Sequence, residues 1–269
     1  MNDKILAKLE NAPKIWWKNL IITIICVLIL LWSASTVGIN NIPESGLSMA
    51  GRIFSSIFHP NTALLFNFTQ SGVAYLLLET ICIAFLATIV GSILAIPLSF
   101  LSAPNIVSAP ISIIGRTLIM MIRTIPPIIY GLMFVRVTGP GPFAGLMTMS
   151  LCSIGMISKM YIEVIEDLDP KILESMDAGG CSRFRKIRYG VLPQLIPDFL
   201  STVIYRFDMN LRDASVLGLV GAGGIGAPLI FAMNGHKWND VGAILIGLII
   251  LVLIVEFFST CLRKKLVHG

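Results

Sequence analysis

The chain has 269 residues, of which 55% are hydrophobic and 13% are charged, and its mean hydropathy is +0.85. Soluble domains carry about a quarter of charged residues, so this composition excludes a water-soluble protein and predicts an all-α integral membrane protein. The net charge of +5 comes from loops without an aromatic stacking surface, which argues against nucleic acid as a partner.

No group of residues in the sequence has the pattern of a catalytic or metal site. The five cysteines lack ligand spacing, and the three histidines are isolated from one another. A GxxxxGK[ST] loop for the phosphates of ATP is also missing. The sequence therefore predicts no metal and no cofactor in this chain. The alternative of an integral membrane enzyme lacks a catalytic set.

Residues 1–36 are predicted to form a cytoplasmic leader and a first membrane span. Lysines surround Trp16-Trp17 and an apolar run follows, as is typical of the cytoplasmic end of a span. Ser33-Ala34-Ser35 could pass for a signal-peptidase site, but the leader is long, and residues 16–37 suffice for about 20 spanning residues. We therefore interpret this segment as a retained span.

Residues 37–72 predict an extracytoplasmic segment, because Arg52 is their only positive charge. Met49, Ile53 and Ile57 recur at helical spacing. This spacing predicts a helix that lies along the membrane surface.

Residues 73–262 are predicted to form the membrane core. This region contains five further apolar segments, at 73–101, 111–137, 143–160, 193–219 and 241–262. Pro126-Pro127 predict a kink in the second of these. Small residues give the first segment a face suited to close helix packing: Ala84, Ala87, Thr88, Gly91, Ser92 and Ala95. Together with the first span, this makes about six transmembrane helices, followed by a basic tail at 263–269.

The distribution of lysine and arginine predicts the orientation. The leader, the region 159–188 and the tail are rich in both residues, whereas the opposite loops hold chiefly Arg52, Arg136 and Lys237. Positive residues collect on cytoplasmic loops, so we expect both termini and the region 159–188 to be cytoplasmic.

The most polar stretch, residues 161–193, is named the hairpin here. An acidic half with apolar residues at helical spacing is followed by Gly179-Gly180 and a basic half. The pattern predicts an amphipathic helix, a glycine turn and a second helix. The apolar ridge from Ile165 to Met176 is expected to fill a groove on a soluble partner. A solvated loop without a partner is the alternative.

The hairpin resembles the cytoplasmic signature of binding-protein-dependent ABC importer permeases, which is E-A-A, three residues, G, nine residues, then I-x-L-P. Glu174 and Gly180 occupy the positions of the Glu and the Gly, and Leu192-Pro193 end the pattern. Ser175-Met176 replace the two alanines, and Gly190 replaces the isoleucine. The resemblance implies that the ATPase-coupling residues are Glu174, Asp177, Ala178, Gly180, Leu192 and Pro193.

Other stretches resemble the phosphonate-type branch of this family over roughly residues 70–262. They include Arg123-Thr124-Ile125-Pro126, the run 189–194 and the glycine-rich run 216–226. The resemblance implies a type I ABC importer permease of the bacterial cytoplasmic membrane, with a substrate that is phosphonate, phosphite or phosphate. It also implies a second permease subunit, identical or paralogous, two cytoplasmic ATPases that bind ATP and Mg, and an extracytoplasmic substrate-binding protein. Another small solute, such as an amino acid, is the alternative substrate.

Charged and polar residues inside the predicted span 193–219 are costly in a membrane and are therefore candidate translocation-pathway residues: Arg206, Asp208, Asn210 and Arg212. Asp208 and Arg212 are spaced i,i+4 and are expected to pair, which leaves Arg206 as the favoured charge for an anion. The alternative is that these groups neutralise one another only for helix packing.

Candidate gate or hinge residues lie at two places, Arg123 with Pro126 and the glycines Gly221, Gly223 and Gly224. The run 221–226 satisfies GxGxxG, and Asp240 lies at nearly the spacing of a dinucleotide-binding fold. That fold requires a preceding strand and a βαβ unit, whereas membrane spans flank this run. We expect the glycine-rich run to make the backbone flexible or to let two helices approach each other closely.

Overall fold

The computed structural model describes residues 16–36, 44–69 and 72–268, and within these ranges the secondary structure is entirely helical. The chain forms two compact units that divide after Arg52. The first contains α1 (Trp16–Thr36) and the beginning of α2 (Glu44–Phe58). The leader 1–15 and the stretch 37–43 lie outside the described residues, so the expectations about them stay predictions.

The second unit contains the end of α2 and ten further helices. A π-helical turn, Lys186–Val191, precedes α10, and a 3-10 turn, Gly218–Val220, follows it. The helices are α3 (Thr62–Leu65), α4 (Val73–Ser102), α5 (Ala109–Thr124), α6 (Pro127–Thr138), α7 (Pro142–Glu166), α8 (Pro170–Ala178), α9 (Arg183–Arg185), α10 (Leu192–Leu217), α11 (Gly226–Asn234) and α12 (Trp238–His268).

Four helices are long and apolar enough to cross a membrane, namely α1, α4, α7 and α12. The pair α5 and α6 passes the same test together but is bent by 81°. The expected kink at the prolines is therefore a break between two helices, because proline donates no backbone hydrogen bond and the residue before it avoids the helical region. The 26 residues of α10 give a length of about 39 Å, enough to span, but this helix is too charged to pass on composition.

Helices α4 and α7 form the centre of the second unit. The six small residues predicted to form a packing face on α4 are all buried. At the crossing, a Cβ added to Gly91 would lie only 2.5 Å from Cβ of Ser153 on α7. A larger side chain at residue 91 would therefore force the two helices apart.

The hairpin differs from its prediction. Residues 161–166 continue α7, and residues 192–193 already belong to α10, so only α8, the glycine turn, α9 and the π-helical turn lie between the two long helices. Ile165, expected on the partner-facing ridge, is fully buried in a cluster with Val191 and Leu195. That part of the prediction is wrong, because the apolar spacing of 161–165 serves packing between α7 and α10.

Candidate functional site

The polar middle of α10 is built around Asn210, which is fully buried. Its Nδ2 donates hydrogen bonds of 2.8 Å to Thr88 Oγ1 on α4 and of 2.8 Å to Ser153 Oγ on α7. One amide thereby joins three helices that are far apart in the sequence. Neither Thr88 nor Ser153 has a spacing in the sequence that reveals this contact.

Two arginines of α10 form separate ion pairs. Arg206 is 4% exposed, and its guanidinium lies 3.4 Å from the carboxylate of Asp213. The two residues lie on the same face of α10. Arg212 lies 2.5 Å from Asp208, as the i,i+4 spacing predicts, and 3.7 Å from Glu256 on α12. Because Arg206 also has a carboxylate partner, pairing alone does not separate the two arginines.

A cavity of about 280 Å³ lies where α5 and α6 are broken. Its lining includes Arg123, Pro127, Cys152, Arg206 and Asp213. Arg123 is exposed and forms no ion pair with any described residue. Two guanidinium groups and one carboxylate therefore face the same space, which gives the cavity an excess of positive charge.

The candidate hinge and pathway residues are brought together here only in part. Arg123 and Arg206 share the cavity, and Pro126 forms the break beside it, whereas Asp208 and Arg212 pair elsewhere on α10. In the sequence, Asp213 belongs to the same intramembrane charged cluster and shares a helical face with Arg206 and Asn210, although it was not among the candidate pathway residues. Arg123 was given only a gating role. The distance of more than 80 residues between Arg123 and Arg206 explains why no sequence spacing predicts their meeting.

The glycine-rich run after α10 is a loop held by α4. Gly224 has φ of +70°, and its backbone N–H donates to Glu79 Oε1 at 3.1 Å. The N–H of Ile225 donates to Thr80 Oγ1 at 3.0 Å. Gly221 and Gly223 also have positive φ values. The loop follows a helix, so the exclusion of a dinucleotide-binding motif agrees with the structure.

Asp240, the acidic residue at the dinucleotide-like spacing, has a structural contact. It accepts a hydrogen bond of 2.8 Å from Asn61 Nδ2, and Asn61 N–H donates to the carbonyl of Asn239. These bonds fasten the start of α12 to the segment that carries α3.

The glycine turn of the hairpin has the geometry expected of it. Gly180 has φ of +68°, in the left-handed region that residues with a Cβ rarely adopt. Asp169 caps α8 by accepting from the N–H of Lys171 at 3.0 Å, and Lys186 pairs with Asp177 across the turn. Among the candidate coupling residues, all but the partly buried Leu192 are exposed.

The two departures from the importer signature meet in space. A Cβ on Gly190 would overlap the sulfur of Met176. Met176 stands where the signature has alanine, and Gly190 stands where it has isoleucine. The large side chain has moved from one side of the contact to the other, so the substitutions compensate each other in volume.

The beginning of the hairpin, residues 161–166, is fastened to neighbouring parts of the membrane core. The rings of Tyr161 on α7 and Phe199 on α10 stack with centroids 3.8 Å apart. Asn105 donates a hydrogen bond of 2.7 Å to the carbonyl of Ile165, and Arg116 forms an ion pair with Glu166. A displacement of α8 therefore acts on packed, rigid elements.

Residues 95–268 match the family described as binding-protein-dependent transport system inner membrane component. The chain belongs to this family. It is therefore a transport subunit of the membrane and not an enzyme. The resemblance based on Glu174, Gly180 and Leu192-Pro193 is confirmed.

Several curated relatives are similar over much of this chain. The phosphite transport system permease protein PtxC of Stutzerimonas stutzeri is 33% identical over 70% of this chain and 69% of its own length. The phosphate-import permease protein PhnE of Mycolicibacterium smegmatis is 33% identical over 72% of this chain but only 37% of its own length. The putative cryptic phosphonate transport system permease protein PhnE2 of Escherichia coli is 36% identical over 45% of this chain and all of its own length.

Solved structures show the fold of ABC importer permeases, as predicted. The methionine ABC transporter MetNI in an inward facing conformation matches with a TM-score of 0.63 and 20% identity, over 72% of this chain and 95% of that chain. A bacterial transporter that imports alginate matches with a TM-score of 0.57 and 17% identity, over 93% of this chain and 98% of that chain.

Proposed function

We propose that this chain forms the translocation pathway of an ATP-driven importer for a phosphorus oxyanion such as phosphite, phosphonate or phosphate. The observation that carries the proposal is the cavity at the α5–α6 break, into which Arg123 and Arg206 project against one carboxylate, Asp213. The names of the relatives support the substrate class. An amino acid, the alternative, is a zwitterion without net charge, so a cavity with an excess of positive charge attracts it less than an oxyanion.

The chemistry of the cavity suits a transient oxyanion. Guanidinium groups match tetrahedral oxyanions with paired N–H donors. Pro127, the first residue of α6, lines the cavity, so the positive end of a broken helix lies beside the two arginines. Asp213 offsets part of this charge, and a passage must bind its ion weakly enough to release it.

We further propose that α8 and the glycine turn contact a partner ATPase on the cytoplasmic side. Glu174, Ala178 and Phe184 belong to the accessible surface of the hairpin, and Phe184 is 69% exposed although the sequence pattern did not single it out. The charge distribution supports cytoplasmic termini. A second permease subunit and an extracytoplasmic binding protein complete the proposed complex.

Substitution of Arg206 tests the anion passage. In reconstituted complexes, Arg206→Lys should keep partial uptake of phosphite, because the charge survives although the planar group is lost. Arg206→Gln should reduce uptake at least tenfold, and Arg123→Gln should reduce it by a smaller factor because Arg123 is exposed. Uptake is measured per amount of intact complex. Equal uptake by the Lys and Gln variants of Arg206 would contradict the proposal.

Substitution of Gly180 tests the coupling role. Gly180→Val places a β-branched residue at a positive φ and should uncouple uptake from ATP hydrolysis while the complex still assembles. Gly179→Ala is the matched control, because Gly179 has φ of −75° and space for a Cβ. Near-normal uptake by the Gly180→Val complex would remove the hairpin from the coupling mechanism and leave the anion passage untouched.

A further inference from the structure

An apolar groove lies between α4, α10 and α12, on a different part of α10 from the charged cavity. Its volume is about 290 Å³, and its lining is aliphatic and aromatic apart from Thr88 and Ser259. Phe85 and Phe207 meet edge to face with centroids 5.9 Å apart at its wall, and Phe258 is 61% exposed. The groove is therefore a hydrocarbon surface that opens to the outside of the chain.

The two polar side chains of the lining behave differently. Thr88 Oγ1 donates to the carbonyl of Ala84 and accepts from Asn210, so its hydrogen bonds are made within the helix packing. Ser259 Oγ is buried and has no hydrogen-bond partner within residues 16–36, 44–69 and 72–268. Both residues are buried, so the wall that a ligand would contact is apolar.

Arg263 stands one helical turn beyond Ser259, on the same face of α12. Its guanidinium carbon lies 5.5 Å from the ring centroid of Tyr205 on α10. Arg263 is partly exposed, and its guanidinium forms no ion pair with any described residue. A partly exposed guanidinium without a carboxylate partner keeps its outer N–H donors available to an anionic ligand.

The end of α12 places this cation where a lipid phosphate lies. Lys264 and Lys265 follow Arg263 and are exposed, as is typical of a helix end at the membrane surface. Val255, Ser259 and Arg263 are spaced i,i+4, so the apolar lining extends about 12 Å along α12 from the guanidinium into the membrane. A cation at the membrane surface with an apolar groove below it matches the headgroup and acyl chain of an anionic phospholipid.

We propose that an anionic phospholipid binds this groove, with an acyl chain along Phe207, Val255 and Ser259 and with its phosphate accepting hydrogen bonds from the outer N–H groups of the Arg263 guanidinium. The site does not depend on the proposed transport substrate, because Arg206 donates toward Ser153 and Asp213, away from the groove lining. A second copy of this chain would need a carboxylate at the same depth. A phospholipid needs no such matching residue, because its phosphate lies at the membrane surface around the whole protein.

The test measures lipid retained by the purified, full transporter complex. Phosphatidylglycerol and phosphatidylcholine of equal chain length are added in detergent, and bound lipid is counted by native mass spectrometry. The wild-type complex should retain several-fold more phosphatidylglycerol than phosphatidylcholine. Arg263→Gln should abolish this preference, and Ser259→Trp should lower retention of both lipids because the ring fills the groove.

Lys265→Gln is the matched control, since it removes the same charge from an exposed position two residues away. It should leave the preference for phosphatidylglycerol near the wild-type value. Equal losses in Arg263→Gln and Lys265→Gln would reduce the effect to general surface charge and overturn the proposal. Unchanged phosphatidylglycerol retention in Arg263→Gln would overturn it as well. A disulfide between two copies carrying Ser259→Cys would assign the groove to a protein interface instead.

Discussion

The hairpin and the middle of α10 both carry dense charge, but the acidic partner of the ion pair is hydrated in the hairpin and buried in α10. In the hairpin, Lys186 and Asp177 pair across a turn, and Asp177 is 64% exposed. In α10, Asp208 is 7% exposed at its side chain, and Asn210 is fully buried. Charge that is hydrated costs little to rearrange, whereas charge between helices must keep its partners.

A dense group of charged residues in a membrane protein can therefore be either a hydrated surface or a buried link between helices. The hairpin can change its contacts with a partner without breaking the core, because water replaces any lost bond. The middle of α10 cannot, because Asn210 joins α4 and α7 and each lost bond leaves a buried group. The following substitutions would break or sharpen this contrast.

Arg212→Gln should have the largest effect. It leaves the buried Asp208 carboxylate without its nearest cation and should lower the free energy of unfolding by about 3 kcal/mol. The measurement is denaturant unfolding of the complex in detergent. Asp208→Asn added to Arg212→Gln should restore most of the loss, since the uncompensated charge disappears. If the double variant is as unstable as the single one, the carboxylate is not the cause.

Asn210→Leu should come next, with a loss of about 2 kcal/mol. The substitution removes two hydrogen bonds that cross between helices, while it preserves volume. Ser215→Ala is the control, because Ser215 bonds only to the carbonyl of Leu211 in its own helix. Comparable stability of the two variants would show that the link between α4, α7 and α10 contributes nothing.

Gly190→Ala should cost about 1 kcal/mol, because its methyl group would press on the sulfur of Met176. Met176→Ala introduced with it should recover this cost. The coupling free energy from a double-mutant cycle measures the contact directly. Additive effects of the two substitutions would mean that the volumes do not compensate.

Lys186→Gln should have the smallest effect, about 0.5 kcal/mol or less, because Asp177 remains hydrated when its cation is removed. Unfolding in low and high salt provides the check, and the small loss should vanish in high salt. A loss as large as that of Arg212→Gln would end the contrast between the two regions.

The sequence predicted what depends on neighbours along the chain. The length of the apolar runs predicted the spans α1, α4, α7 and α12, and residue spacing predicted the packing face of α4 and the pair Asp208–Arg212. The glycine pair predicted the turn at Gly180. It did not give the 81° break, because two prolines predict a kink and not its angle, which packing sets.

The candidate site was less predictable, because its contacts join distant residues. Glu79 and Gly224 are 145 positions apart, and Asn210 and Thr88 are 122 apart. Ile165 looked like a partner-facing residue because a helical stripe has the same spacing whether it faces a groove on another protein or an adjacent helix.

The composition of α10 bears on how the chain enters the membrane. Of the described helices long enough to cross, only α10 is too polar to partition by itself, since each central Asp or Arg costs roughly 2.5–3.5 kcal/mol on insertion. Its buried amide finds Thr88 and Ser153 on helices that are synthesised earlier. We therefore expect α10 to enter the bilayer stably only when it can pack against α4 and α7, so that a substitution at their crossing impairs insertion of a later segment whose own sequence is unchanged.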